Sequence, residues 1–374
     1  MAYEINLSLY LICHHGDSNA RNDMELIRRV SIENKVPITY YISGIELEEM
    51  GRLSESSFRH GYDFRQKVSE SFIHPRWGIN DKHKPEIGIM TYNHNTLVLP
   101  HLDYADSELY FNHIVSPQIL KIKSKLKELF GIDATTIHPP DGVYSPRAAY
   151  TLKKEGLDAV VVSGEFLQDN HHAKGVLYWK DGLRHLMRTN DLQPQSSRFY
   201  EANNFLSAVE WYADTFGINT ITVGCDIDEF TGRSGNMNLE DGVQRLLHIG
   251  KYAYESHGRI NLVNCNAASY LNPNQQDIGQ IWPDDEVHAM QNGTGDLSWF
   301  IPKTFEMKLN TFKHIAQRIR EGWNEPGHPR KEDIDFSILN FMYANDSALC
   351  HQDFGWGWHR LFIDQIGLAG RRLF

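Results

Sequence analysis

The 374 residues, 41% hydrophobic and 23% charged, are enough for one large globular fold and exclude a disordered chain. A formal net charge of −11 excludes general attraction to nucleic acid or anionic membranes, so the substrate is either neutral or met in a locally basic pocket. Four scattered cysteines (Cys13, Cys225, Cys265 and Cys350) lack C-x-x-C spacing and indicate a reducing compartment rather than a disulfide framework.

The first apolar run, Ile5 to Ile12, is interrupted upstream by Glu4 and has no basic start or small-residue cleavage site. It reads as a buried strand rather than a signal peptide, and no uncharged stretch is long enough for a membrane span. The expected location is cytoplasmic. The run ends in His14-His15-Gly16-Asp17-Ser18-Asn19, and residues 20–34 have helical spacing at Met24, Ile27 and Val30. Residues 37–42 form a second strand, a second helix begins near Ile45, and residues 86–92 form a third strand that ends at Asn93-His94. Residues 116–130 are an amphipathic helix, and residues 135–138 a strand ending at Pro139-Pro140-Asp141-Gly142. A helix at 146–155, strands at 159–163 and 182–187, a helix at 201–216 and a strand at 220–224 follow. That strand runs into Cys225-Asp226-Ile227-Asp228; then come a helix at 239–254 and a strand at 260–263.

Alternating strands and helices imply a parallel sheet, with polar clusters repeatedly at the C-terminal ends of strands, where barrel enzymes place their sites. From about residue 300 the pattern becomes helix only, at 302–321 and 333–345. The fold expected is α/β: an incomplete (β/α)7 barrel over residues 1–300, with a C-terminal helical region over 301–374 packed on it.

The strand-end clusters carry the candidate chemistry. His15 and Asp17 on one loop suit a divalent metal or sugar hydroxyls, or cap the following helix. His94 sits at another strand end, with His101 and Asp103 shortly after. Asp141 follows two prolines, which stiffen the turn and hold a carboxylate ready as nucleophile or base; the plainer reading is an ordinary Pro-Asp-Gly turn. In a strand-like tip Asp226 and Asp228 face one side, and like charges that close raise one another's pKa, so one can act as a general acid; the alternative is a solvated acidic loop. Trp77, Trp282, Trp299, Trp356 and Trp358 lie in polar or Gly/Pro-rich surroundings and stack on sugars or pack in the core.

In this order the clusters resemble the family 57 glycoside hydrolases. Cys13-His14-His15 stands where the family has its first histidine motif, and Thr91-Tyr92-Asn93-His94 with Leu99-Pro100 resembles its T-Y-x-H…L-P segment. Pro140-Asp141-Gly142-Val143-Tyr144-Ser145 resembles P-E-x-x-Y-S, and Leu152 to Gly156 its following helix end. Arg188-Thr-Asn190-Asp-Leu192 resembles R-x-N-x-L, and Asp226-Ile-Asp228-Glu229-Phe230 resembles D-x-E-x-F-G. The match covers about residues 5–265.

The resemblance implies a glycosidase or glucanotransferase acting without a cofactor. Its catalytic residues would be Asp141 (nucleophile) and Asp226 (acid/base), with Asp228 beside them, and retention at the anomeric carbon sets two carboxylates roughly 5–5.5 Å apart. It places His15, His94, Arg188, Trp299 and Trp356 against an oligosaccharide or polysaccharide, with neither nucleic acid nor membrane as partner. The oligomeric state is left open, a homo-oligomer included. The family nucleophile is Glu, and Asp141 is one methylene shorter. His15-Gly-Asp17 also resembles the metal-binding start of family 38 mannosidases, and Pro139-Pro140-Asp141-Gly142 resembles the R-P-P-x-G turn of polysaccharide deacetylases. A second reading is therefore a metal-dependent deacetylase or mannosidase-like hydrolase holding Zn²⁺ or a similar ion on His15, Asp17 and His94. The third is a sugar-binding or regulatory protein on a degenerate barrel.

Overall fold

The computed structural model describes residues 4–13, 26–27, 29–44, 46–47, 84–93, 95–163, 177–189, 192, 202–230, 239–256, 259–271, 276–282, 284, 287, 302–344 and 356–373. Strands β1 (Ile5–Cys13), β2 (Ile38–Ile42), β3 (Glu86–Ile89), β4 (Thr136–Ile137) and β5 (Ala159–Ser163) run parallel in sequence order. β6 (Leu177–Lys180) folds back antiparallel onto β7 (Leu183–Arg188). The turn between them is Asp181-Gly182, both at positive φ, as a two-residue hairpin turn requires. β7 is parallel to β5, and β8 (Thr220–Asp226) is parallel to β1.

The Arg188–Thr222 pairing of β7 with β8 closes the ring β1-β2-β3-β4-β5-β7-β8. The result is a closed parallel barrel of seven strands. β9 (Ile260–Val263) pairs with the first half of β1 along the edge whose second half takes β2, and β10 (Gln276–Asp277) adds to β6 outside the ring.

The strands read as near-continuous apolar runs because both faces are covered, as in parallel sheets generally. The interior holds its own small cluster, with Tyr10 and Ile12 from β1, Tyr41, Met90, Val161 and Leu186. A large outer cluster joins the barrel to its helices. Two glycines make room inside: a Cβ on Gly88 would stand 2.3 Å from the Tyr41 ring, and one on Gly224 2.5 Å from Tyr10.

Residues 29–33 are helical, and the α-helices after β3 among the described residues are α1 (Tyr104–Tyr110), α2 (Ser116–Phe130), α3 (Ala149–Lys154), α4 (Ala202–Phe216), α5 (Ile227–Phe230), α6 (Leu239–Glu255), α7 (Cys265–Ala268), α8 (Pro302–Arg320), α9 (Lys331–Ala344) and α10 (Trp356–Arg371). A π-helical turn, Phe111–Val115, joins α1 and α2 into one continuous rod that ends at left-handed Gly131. The C-terminal helices pack on this rod: Phe312 stacks edge-on against Tyr110 at 5.1 Å, and Arg320 pairs with Asp106. None of the described helices is long and apolar enough to cross a membrane.

At the lower, N-terminal end of the barrel Glu86 accepts hydrogen bonds from Thr39 Oγ1 (2.9 Å), Thr136 Oγ1 (2.7 Å) and the Asn266 amide of α7 (2.9 Å). Burial raises its pKa, and these three donors only partly offset the rise. This polar plug seals the end of the barrel opposite the site.

The structure differs from the sequence reading at three places and decides a fourth, Trp282, between the two readings given for it. The third strand stops at Ile89 rather than Tyr92, because Thr91 turns its hydroxyl onto the Asn95 carbonyl (2.6 Å). The β6 strand and helices α1 and α10 are additional to the elements read from the sequence. The acidic tip after β8 is not strand-like: Asp226 is the last strand residue and the chain turns at once into α5, so strand alternation does not put Asp226 and Asp228 on one side. Trp282 is a core residue, 1% exposed, packed edge-on against Tyr144.

Candidate active site

The upper rim of the barrel is built on an aromatic floor. The rings of Tyr10, Tyr41 and His138 lie 5.2–5.5 Å from one another and fill the barrel bore. They come from three different strands or strand ends, and the two glycines of β3 and β8 leave the space they occupy. Burial holds the Tyr10 and Tyr41 phenols above their usual range, so both keep their protons at neutral pH.

Above the floor the β4 end continues through His138-Pro139-Pro140 to Asp141. Asp141 adopts φ 52°, ψ 17°, left-handed geometry that Asp tolerates better than most residues. One of its carboxylate oxygens, Oδ2, is buried and accepts no hydrogen bond. The turn that carries it is fixed from the far side. Tyr144 Oη meets His185 Nε2 at 2.7 Å, Ser145 Oγ donates to the Asp284 carbonyl, and Arg147 Nη1 donates to Leu102 O (3.1 Å) and Ser107 Oγ (2.6 Å).

On the opposite side of the ring, Asp226 ends β8 beside Ile12 of β1. Arg188 ends β7 between Ser163 of β5 and Thr222 of β8, and it is buried with no hydrogen-bond partner for Nε. Arg188 and Asp226 act with opposite sign on both the Tyr10 phenol and the Cys225 thiol, whose rise is caused chiefly by burial. The structure thus brings Asp141, Arg188 and Asp226 to one end of the barrel, over one floor. A pair of strand-end carboxylates with a cation, above an aromatic base, can attack and protonate a bond in a bound neutral molecule.

His15, Asp17, His94 and Trp299 lie outside the described residues, as do the side chains of Asp228 and Trp356. Among the described residues no group of three or more His, Cys, Asp or Glu could hold a metal ion. His101 is exposed, and Asp103 caps α1 by accepting from the Asp106 amide at 2.7 Å. Sequence reasoning missed Tyr10 and Tyr41 as the floor; the signal available was their shared inward parity with Ile12 and Thr39.

The family model for glycosyl hydrolase family 57 matches residues 20–271. The chain belongs to glycosyl hydrolase family 57. The family 57 match spans β2 to β9 and so contains all three strand-end residues.

Solved structures share the fold at low identity. The 4-alpha-glucanotransferase of Thermococcus litoralis is 14% identical with a TM-score of 0.67, covering 98% of this chain and 59% of its own. The present chain therefore spans under two thirds of that enzyme's length. The alpha-amylase AmyC of Thermotoga maritima is 11% identical with a TM-score of 0.63, covering 98% of this chain and 92% of its own. The family 57 branching enzyme of Pyrococcus horikoshii is 13% identical with a TM-score of 0.58, covering 98% and 87%. No curated protein sequence matches the chain.

Proposed function

We propose that this family 57 protein cleaves or transfers glycosidic bonds in an α-glucan or related oligosaccharide, with Asp141 as nucleophile and Asp226 as acid/base. The observation that carries the reading is Asp141 itself. It is a carboxylate at a barrel strand end, on a braced turn, with one oxygen buried and accepting no hydrogen bond. An oxygen relieved of hydrogen bonds is a better nucleophile than one already engaged. Family membership and the glucan-active names of the solved neighbours support the substrate class.

In the first step an Asp141 oxygen bonds to the anomeric carbon as the glycosidic C–O bond breaks, and Asp226 gives its proton to the departing oxygen. In the second step Asp226 takes a proton from water or from a sugar hydroxyl. The oxygen so released attacks the anomeric carbon and frees Asp141 from the ester. Water gives hydrolysis; a sugar hydroxyl gives transfer. Arg188 binds substrate hydroxyls as a fixed donor, and His15, His94, Trp299, Trp356 and Asp228 complete the site in this reading.

The test is turnover of maltooligosaccharides and amylose by wild type and by Asp141→Asn. The expected result is activity in the wild type only, with a glycosyl-enzyme ester trapped on Asp141 by a 5-fluoroglycosyl fluoride. Undiminished activity of the variant ends the assignment. Activity lost on metal removal and restored by Zn²⁺ moves the function to the metal-dependent reading with His15, Asp17 and His94 as ligands.

A further inference from the structure

The helical rod Tyr104–Phe130 departs from α geometry at Phe111–Val115, where it widens into a π turn. The cause is in the sequence: Pro117 has no amide hydrogen, and its ring crowds the carbonyl one turn back. Such π turns are frequent at functional sites. Here the turn has a visible consequence. Gln118, one residue past the proline, is buried and uses both ends of its amide. Its Nε2 donates to Ile114 O in the π turn (3.1 Å) and to Asn95 Oδ1, while its Oε1 accepts from the Asn93 amide (3.0 Å).

Asn95 is the next link. It is fully buried, and its Nδ2 donates to the Met342 carbonyl of α9 at 2.8 Å. Its own carbonyl accepts from Thr91 Oγ1 at 2.6 Å, and the next carbonyl, of Thr96, accepts from Tyr110 Oη at 2.8 Å. Every one of these contacts falls on the segment that leaves β3 at the upper end of the barrel, the end that carries Asp141 and Asp226.

Two buried side-chain amides that together tie the π turn, the segment after β3 and α9 to one another fix their mutual placement. We infer that Gln118 and Asn95 are positioning residues for the β3 end of the active site, and that the Met342 carbonyl makes α9 part of the wall that shapes substrate binding. The inference rests on the proposed function only for what that wall encloses; the mechanical link stands on the hydrogen bonds.

The test uses the full-length protein and Asn95→Asp, which keeps the acceptor for Gln118 but replaces the donor to Met342 O with a carboxylate oxygen. Hydrogen–deuterium exchange is followed in peptides covering 90–97 and 338–344. Exchange is expected to speed up in both segments, and not in β5, β7 or β8; unchanged exchange at 338–344 overturns the link. On a maltooligosaccharide, KM is expected to rise roughly fivefold with kcat nearly unchanged, the signature of lost uniform binding. A lowered melting temperature with KM unchanged would reduce the link to a stability role and overturn the positioning claim. Should Asn95→Asp not fold, Asn95→Ser shortens the donor's reach and gives the same readouts. If wild type turns over no glucan the proposed function fails, while the exchange experiment still decides the link.

Discussion

The Tyr144 hydroxyl and His185 Nε2 lie 2.7 Å apart in a fully buried pair, joining the turn that carries Asp141 to the strand that ends in Arg188. Two sides of the candidate site therefore share one fastening. Tyr144→Phe keeps the ring but leaves a buried ring nitrogen without its partner. A loss of about 1–3 kcal/mol in unfolding free energy is expected, together with a fall in kcat from a loosened Asp141 turn. Denaturant melts and steady-state kinetics on the same preparation check both; a drop in stability with untouched kcat would confine the bond to the scaffold.

Burial lowers the His185 pKa from its usual value of 6.5 to about 3. The unfolded chain binds a proton in that interval and the folded chain does not, so this residue makes stability fall as pH drops from 6.5 toward 3. The slope approaches about 1.4 kcal/mol per pH unit for the single group. His185→Gln should flatten the acid limb of the stability curve, read from urea midpoints between pH 4 and 7. An acid limb of unaltered slope would refute the assignment.

Glu86 acts in the opposite sense. Its folded pKa is raised by burial above the ordinary 4.5, so the folded state holds the proton more tightly and stability is lost as pH rises above 4.5. Glu86→Gln keeps the shape and acceptors for Thr39 and the Asn266 amide. Its melting temperature relative to wild type should therefore climb with pH. A difference that stays constant from pH 4 to pH 8 would contradict this.

For Asp141→Asn the two readouts should separate. Replacing a carboxylate with a buried, unbonded oxygen removes a desolvation cost, so the variant should be at least as stable as wild type while kcat falls by roughly a thousandfold or more. Calorimetry beside single-turnover kinetics tests the pair; a clearly destabilised variant would mean that the carboxylate serves the fold.

Gly88→Ala would place a methyl 2.3 Å from the Tyr41 ring and 2.8 Å from Thr136 Oγ1. Overpacking of this kind costs about 1–3 kcal/mol. The double variant with Tyr41→Leu should recover part of the loss, because the two sites share one space. Strictly additive losses in a double-mutant cycle would show that the floor adjusts elsewhere.

The barrel was legible in the sequence where strands are largely apolar, as in Ile5–Cys13 and Ala159–Ser163, because both-face burial leaves runs dominated by Leu, Ile and Val. It was less legible at β4, two residues long, where Pro139 rather than periodicity marks the strand end. The placement of Asp141 and Asp226 at strand ends followed from punctuation by proline and by acids. The relation of Asp226 to Asp228 did not, since alternation was carried two residues past the end of the ladder into a helical turn. The network through Gln118 and Met342 was unreadable, because partners 247 residues apart leave no local pattern.

β1 pairs along one edge with β8 and along the other with β2 and β9, and Asn261 of β9 donates to Asn6 across 255 residues of chain. On a ribosome adding roughly 5–20 residues per second, the longest of the described strands waits on the order of 10–50 s for its last partner to be made. For that interval its edge is open to any other extended chain. Expression yield should therefore depend on translation speed and on chaperones that shield nascent chains, and slow codons between β1 and β9 should favour aggregation over barrel closure.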